Sequence, residues 1–569
     1  MEEHRLAAPK PEGRRLGRAV GLAAALLLLD ASVTFENVWP TPAVRWWGAL
    51  SIECAVCILA IGAAARWRRR SLSTTAVGWL SAAWTALIIG RYADVTAPAL
   101  YGRDINLYWD VRYMPDVAAM ITRVTPLWMI VACLTAVALV AWLAYRLIRW
   151  AWTTVDGALG QPLERRVLMA AACGVVAFFA FDRVGAARTS WVFAGGEYQD
   201  DANRLFPQPV TSSYTHQLRL LSEAMASTKP LPATPAMDSD LSRVAGADVF
   251  VVFLESYGAA AYERPEIAGP LAVGLKSFAS AIRDTKRDVV SAYVESPTYG
   301  GSSWLAHVSL LSGVDVREAG TNARLLTERR DTLVRAFGRR GFRTVALMPG
   351  LRGPWPEGGF YGFDEIYGAD RIAYVGPEFG WFAIPDQFSL HRLDALEVNR
   401  TSRAPLFVFF PTISPHFPFS PTPPYQPDWQ RMSSPGPYDG PDLERAYERQ
   451  PDWEHFAPGY VDSMTYEFAS MAGYLRQHAE RDVVMVVLGD HQPPALVSGV
   501  GASWNVPVHI VASRRDVLDR LAASGFRKGF TPSGAAIGRM HVLVPLLLDA
   551  FGDRHGQPPP NNVRSQALP

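Results

Sequence analysis

The chain is poor in cysteine and has no excess of charge of either sign. Its 569 residues hold four cysteines, Cys54, Cys57, Cys133 and Cys173. Everything after Cys173 must therefore fold without a disulfide. It has to be held by an apolar core, and it is long enough to bury one. Lys and Arg together number 55 against 54 Asp and Glu, so overall charge gives no argument for nucleic acid as a partner. No internal repeat or long low-complexity tract stands out. What is abundant is apolar: 49% of residues are hydrophobic and 18 are Trp. That content is high for a soluble chain and low for an all-membrane one, and the mean hides two unlike halves.

Residues 1–190 read as a transmembrane domain of five helices. They centre on "GRAVGLAAALLLLDASVTF", "WWGALSIECAVCILAIGAAA", "TTAVGWLSAAWTALIIG", "PLWMIVACLTAVALVAWLAY" and "VLMAAACGVVAFFAF". Each is long enough, or nearly so, to cross a bilayer, which takes roughly 20 apolar residues. A cleaved signal peptide accounts for the first alone. Basic clusters set the direction. Lys10, Arg14, Arg15 and Arg18 precede the first span, Arg66 to Arg70 follow the second, and Arg146, Arg149, Arg165 and Arg166 follow the fourth. All three clusters fall on one side, cytoplasmic by the positive-inside rule. The expected protein is multi-pass in a bacterial inner membrane, with everything past the fifth span extracytoplasmic.

All four cysteines lie inside spans, and Cys54 and Cys57 read as small packing residues rather than a redox pair. Glu53 reads as a mid-span acid, functional or hydrogen-bonded between helices. The loop "ALYGRDINLYWDVRYMP" carries Tyr and Trp suited to lipid headgroups or to an interfacial belt. Residues 191–245 read as a juxtamembrane segment, with an amphipathic stretch "THQLRLLSEAM" and a linker rich in Pro, Ser and Thr. Residues 556–569 read as a disordered tail.

Residues 246–555 have a different rhythm. "DVFVVFL", "DVVSAYV", "RTVALM", "APLFVFFP", "VVMVVLGD" and "PVHIVAS" are short, apolar and β-branched, as for strands buried on both faces. Helical stretches alternate with them. The expectation is an α/β layered domain with a mostly parallel central sheet. In such folds functional groups collect beyond the carboxyl ends of the strands. Here those ends carry Glu255 in "VVFLES", two serines in "SAYVESPTYGGSS", His416 in "VFFPTISPHFPF", and Asp490 with His491 in "VVMVVLGDHQPP". Oxygen and nitrogen donors of this kind suit a divalent cation such as Zn²⁺ or Mn²⁺. A cation of that class makes a serine hydroxyl a better nucleophile and neutralises charge on a transferring phosphoryl group. Singly, each residue also has an ordinary structural reading as cap, turn or packing group.

"VFLES", "GGSS", "SPHFPF" and "LGDH", in this order, resemble the lipoteichoic acid synthase-like phosphoglycerol transferases of the alkaline phosphatase/sulfatase superfamily. Five membrane helices before an exported catalytic domain match as well. The resemblance implies that Glu255, Asp490 and His491 are metal ligands. The family nucleophile is a Thr in a G-K-T-S stretch. Ser302 takes that place here, which makes it the expected nucleophile and the hydroxyl contributed to one divalent ion, Mn²⁺, Zn²⁺ or Mg²⁺. His416 matches a His that contacts the substrate phosphate or leaving group, and Trp355 falls in a loop similar to the family's headgroup loop. Arg352 is a candidate phosphate partner through its bidentate guanidinium. The chain departs from the pattern in having Ser for Thr, Gly301 for Lys, and Trp304 and His307 where the family has acids. His307 reads as a substrate contact or a helix-packing residue, and Ser303 as the cap of the following helix.

The implied activity is transfer of a phospholipid headgroup, phosphoglycerol first, through a Ser302 intermediate to a hydroxyl of a cell-envelope glycan or glycolipid. The donor is then phosphatidylglycerol or phosphatidylethanolamine, presented at the membrane. Phosphoethanolamine transfer is the runner-up, opposed by the missing disulfides. Hydrolysis, as a phosphodiesterase or sulfatase, is a third reading. Neither serine lies in the [C/S]-x-[P/A]-x-R stretch that sulfatases convert to formylglycine. A non-catalytic membrane scaffold or sensor is the alternative from another class.

Overall fold

The computed structural model describes residues 11–38, 41–68, 71–101, 105–189, 205–226, 230–452, 454–499 and 501–553. The tail at 556–569 and the start of the juxtamembrane segment lie outside them. The chain parts into two units, the first mainly residues 1–227 and the second mainly residues 228–566.

In the first unit a helix covers all or most of each of the five apolar stretches. These are α1 (Pro11–Thr34), α2 (Ile52–Arg68), α3 (Thr74–Tyr101), α5 (Leu127–Leu159) and α6 (Pro162–Thr189). Among the described residues, two segments, Arg15–Thr34 and Leu127–Leu159, are long and apolar enough to cross a bilayer, against the five expected. The shortfall is local. α2 starts only at Ile52 and has 17 residues, α3 carries Arg91 and Asp94, and α6 is free of charge only between Val167 and Phe181. Leu134, Val137 and Val140 of α5 are 65%, 66% and 65% exposed, an apolar surface unfavourable against water.

Two further helices complete this unit, α4 (Leu107–Val124) and α7 (Val210–Ala226). The aromatic loop of the sequence reading is thus largely helical. Asn106 caps α4 by accepting the Trp109 N–H. α7 lies where the amphipathic stretch was expected. Glu53, expected mid-span, sits in the first turn of α2 and accepts bonds from Ser51 Oγ at 3.1 Å and the Thr211 N–H at 3.2 Å. An acid there complements the free N–H groups of the helix start.

The second unit is built on one sheet. Its strands are β1 (Asp248–Leu254), β2 (Asp288–Glu295), β3 (Arg343–Met348), β4 (Glu365–Gly368), β5 (Leu406–Pro411), β6 (Val483–Gly489), β7 (Asn505–Ala512) and β8 (Arg527–Lys528). Spatial order is β8-β2-β7-β6-β1-β5-β3-β4. β6, β1, β5, β3 and β4 run parallel, while β7 runs antiparallel to both β6 and β2. β1, β2, β5 and β6 therefore all end at the same edge.

The sheet is buried on both faces. Val249, Val251 and Phe253 of β1 join one apolar layer, and Phe250, Val252 and Leu254 join the other. This is the two-residue alternation of a strand with no solvent side. α8 (Pro265–Asp284) and α11 (Ala457–Gln477) pack on the second layer, and α9 (Ser303–Ser312) on the first. α10 (Asp386–Leu393) precedes β5. The sequence reading missed β4 and β8. They have four and two residues, too few to show a period. The end of the expected linker belongs to this unit, since Met237 and Leu241 enter its core.

Candidate active site

Four strand ends meet in one small cluster. Glu255 follows β1, and its N–H donates to Thr412 Oγ1, just after β5, at 3.1 Å. Ser256 has a left-handed backbone (φ 59°). That turn lets its N–H reach Asp490 Oδ1 at 2.8 Å and its hydroxyl reach Glu255 Oε1 at 3.0 Å. Asp490 Oδ1 also accepts the His491 N–H at 2.7 Å. His491 Nδ1 lies 2.8 Å from the Gln492 carbonyl. A nitrogen facing a carbonyl carries the proton, so Nε2 is the nitrogen left to bind a cation or take a second proton. It faces the acids: Nε2 is 3.4 Å from Glu255 Oε1 and 3.5 Å from Asp490 Oδ2.

These three residues are buried, and their donor atoms lie within 4.8 Å of one another. Among the described residues, His491 is the ion-pair partner of both acids, and no Lys or Arg is. Burial, and then the charge of Glu255, pushes the Asp490 carboxyl up to about 6. Burial disfavours a charged His491, but Asp490 and Glu255 outweigh it and raise its pKa. A dry cluster of two carboxyls and one imidazole, with no fixed cation, fits a divalent ion. Glu255, Asp490 and His491 would hold it.

The serines exchange the places expected of them. Gly300, Gly301 and Ser302 all have positive φ, at 64°, 150° and 61°. Three such residues in a row make an abrupt turn between β2 and α9. Ser302 occupies the cap position of α9, and its side chain makes no capping bond. Ser303 is the first helical residue. Its hydroxyl donates to Glu255 Oε2 at 3.1 Å and lies 3.2 Å from His491 Nε2. The hydroxyl brought to the acids is thus that of Ser303, not Ser302. Its position at the start of α9 adds the positive end of the helix dipole, which favours an anion there.

His416 stands near the cluster, close enough for its titration to feel His491 and Asp490. Burial is the main cause that lowers its pKa below the usual imidazole value. Its Nδ1 lies 2.8 Å from the Phe417 carbonyl, so Nε2 is the unprotonated nitrogen. Its ring meets Phe382 edge-on, 5.0 Å between centroids. Trp381, Phe382, Ser414 and Ser420 line the adjoining cleft.

Arg352 reaches the same wall. It donates to the Trp381 carbonyl at 3.2 Å and lies 5.8 Å from the Trp381 ring. Trp381 and Phe382 escaped sequence reading, although an aromatic pair after a glycine in "FGWFAIPD" was a usable signal. Trp355 stacks on Tyr361 at 5.4 Å and leans on the core layer that holds α9. His307 packs edge-on against Phe253 and Phe409, at 4.7 and 5.4 Å. Burial lowers its pKa to about 4, and its Nε2 has no partner among the described residues. His307 is thus a packed neutral imidazole beneath the cluster.

Residues 247–505 match the Sulfatase family. No curated protein matches the chain. Among solved structures, the lipoteichoic acid synthase LtaP of Listeria monocytogenes is 12% identical over 60% of this chain and 79% of its own, with a TM-score of 0.37. The phosphoglycerol transferase GacH of Streptococcus pyogenes, in complex with sn-glycerol-1-phosphate, is 14% identical over 52% and 74%, with a TM-score of 0.33. The C-terminal periplasmic domain of EptC from Escherichia coli, in complex with Zn, is 11% identical over 50% and 77%, with a TM-score of 0.32.

Proposed function

Residues 247–505 are a sulfatase-family domain, and on that premise we propose that the protein is a membrane-bound, metal-dependent transferase of phospholipid headgroups. Phosphoglycerol is the group moved, and the acceptor is a hydroxyl of a cell-envelope glycan or glycolipid. The observation that carries this reading is the Ser303 hydroxyl held against Glu255 and His491 in a buried cluster with Asp490. A nucleophile, an acid-rich metal site and a neutral imidazole at one strand edge suit attack on a phosphodiester.

A divalent ion bound by Glu255, Asp490 and His491 would lower the pKa of the serine hydroxyl and neutralise charge on the phosphoryl oxygens. Ser303 Oγ attacks the donor phosphorus. A phosphorus–oxygen bond forms to Ser303 as the bond to diacylglycerol breaks, and the proton given up by Ser303 Oγ ends on the diacylglycerol oxygen. The acceptor hydroxyl then attacks the phosphoryl-Ser303, and Ser303 leaves. His416 Nε2, the unprotonated nitrogen, takes the acceptor's proton and returns it to Ser303 Oγ as that bond breaks. Arg352 supplies positive charge at the cleft wall for the phosphate.

The apolar face of α5 supports anchoring in a membrane, which confines enzyme and lipid donor to one surface. The five-span, catalytic-domain-outside topology is the arrangement we propose from the basic clusters. The missing formylglycine stretch disfavours sulfate ester hydrolysis.

The test is incubation of the full-length protein with labelled phosphatidylglycerol or phosphatidylethanolamine, followed by peptide mass analysis. A phosphoglycerol adduct on Ser303, lost in Ser303→Ala and kept in Ser302→Ala, is expected. An adduct on Ser302, or none from either lipid, overturns the reading.

A further inference from the structure

Away from the metal cluster, a second pair of acids is buried without a cation. Asp386 is the first residue of α10 and Glu467 lies in the middle of α11, and each is 0% exposed. The Asp386 carboxylate is well supplied. It accepts the Ile413 N–H at 3.1 and 3.0 Å and the Ser414 N–H at 2.6 Å. Ser414 Oγ accepts the Asp386 N–H at 3.4 Å. Glu467 is poorly supplied: neither of its oxygens makes a hydrogen bond of ordinary geometry among the described residues, and the Ser414 hydroxyl is the donor that faces it. What faces it is the Asp386 carboxyl and the Ser414 hydroxyl, with no cation. Tyr466 on the same helix and Tyr438 are the other titratable groups nearby.

Two ionised carboxylates cannot share a dry pocket, so such a pair keeps one proton. Asp386 spends its lone pairs on three short contacts to backbone N–H groups. The proton therefore belongs on Glu467, where it donates to Asp386. That donation explains why a buried acid is so poorly supplied with donors. Burial, and then the charge of Asp386, holds Glu467 well above the usual carboxylate range.

The residues that Asp386 grips are those that place His416. Ile413 and Ser414 follow β5, and the His416 N–H donates back to the Ile413 carbonyl at 3.2 Å. On the other side, Thr412 holds the Glu255 N–H. The turn from Thr412 to His416 is thus tied at Thr412 to the metal cluster and at Ile413 and Ser414 to the Asp386 carboxylate. We propose that Asp386 and Glu467, sharing one proton, are positioning residues that hold the 412–416 turn and so keep His416 beside the metal cluster. This rests on the role given to His416 above, and the readout is chosen to be independent of it.

The test uses the full-length protein in detergent and reads the rate at which diethyl pyrocarbonate modifies His416, by peptide mass, from about pH 5 to about pH 9, a span that covers known buried Glu values. In the native protein His416 is protected until the shared proton leaves, then reacts on the order of tenfold faster, as expected for losing a hydrogen bond to a charged group. Glu467→Gln keeps a donor to Asp386 without a titratable proton, so protection persists across the range. Asp386→Asn removes the carboxylate and exposes His416 at every pH. If Asp386→Asn does not fold, the Glu467→Gln profile decides alone. A Glu467→Gln profile with the native alkaline step, or equal protection in Asp386→Asn and native protein, overturns the proposal. Absence of any lipid adduct in the native protein would sink the transferase reading and leave this result standing.

Discussion

Ser302 and Ser303 are neighbours in sequence and differ in surroundings. Ser303 Oγ touches Glu255 and His491, while Ser302 sits in a left-handed cap. Ser303→Ala is expected to lower headgroup release on the order of a thousandfold or more, measured as diacylglycerol formed. Ser302 Oγ makes no capping bond, so Ser302→Ala should stay within about tenfold of native, no more than one neutral hydrogen bond is worth. His416 gives a pH prediction. Its pKa is lowered, chiefly by burial, so the neutral base persists below the usual imidazole value. The acid limb of the rate profile should therefore fall below about pH 6.5. Stability follows the same sign. The unfolded chain takes up a proton near pH 6.5 that the folded one refuses, so acidification costs stability until pH passes the lowered value. Ser302 was the expected nucleophile because motif matching counts positions. A step of one residue at a helix start turns a side chain by about 100°, and three consecutive positive φ angles decide which hydroxyl turns inward.

The strand that delivers Asp490 and His491 ends in a close backbone approach. A Cβ on Gly489, the last residue of β6, would stand 1.8 Å from the Tyr257 carbonyl oxygen and 2.8 Å from its carbon. Both obstacles are backbone, so neither can swing away. Gly489→Ala is expected to push β6 from the turn after β1, destabilise the domain by about 1–3 kcal/mol, and move Asp490 away from Glu255. Thermal unfolding would read the first effect and bound metal per chain the second. An unchanged metal content would contradict the close fit at this strand end. The strands themselves were legible because β1, β2, β3, β5, β6 and β7 are apolar runs with ends marked by polar residues. The edge strands β4 and β8 were not, being too short to carry a pattern.

At the scale of the whole molecule, the two units make separate predictions. Chelation with EDTA should abolish headgroup release, and Mn²⁺ or Zn²⁺ should restore it in the native protein but not in Asp490→Asn. Full activity after exhaustive metal removal would overturn the metal centre. A reporter fused near Ser239 should be active only outside the inner face. Cytoplasmic activity would sink the topology drawn from Arg66 to Arg70 and their companion clusters. The same clusters and the apolar runs gave five helical stretches by sequence, and helices do cover all or most of each. Length and polarity separate α1 and α5 from the rest, because a span depends on where a helix starts as well as on its composition. α2 starts at Ile52, which also moves Glu53 from mid-span to a helix N-terminus.

The amino-acid sequence by itself determined the layered α/β domain, the carboxyl-end location of Glu255, His416, Asp490 and His491, and the absence of disulfides after Cys173. These follow from period, burial propensity and composition, which are local properties of the chain. The tertiary structure alone decided which serine meets the acids, that Trp381 and Phe382 wall the cleft, and that Asp386 and Glu467 are buried together. Those depend on side-chain direction and on contacts between residues far apart in the chain, such as Asp386 and Glu467 on separate helices. No local pattern encodes either.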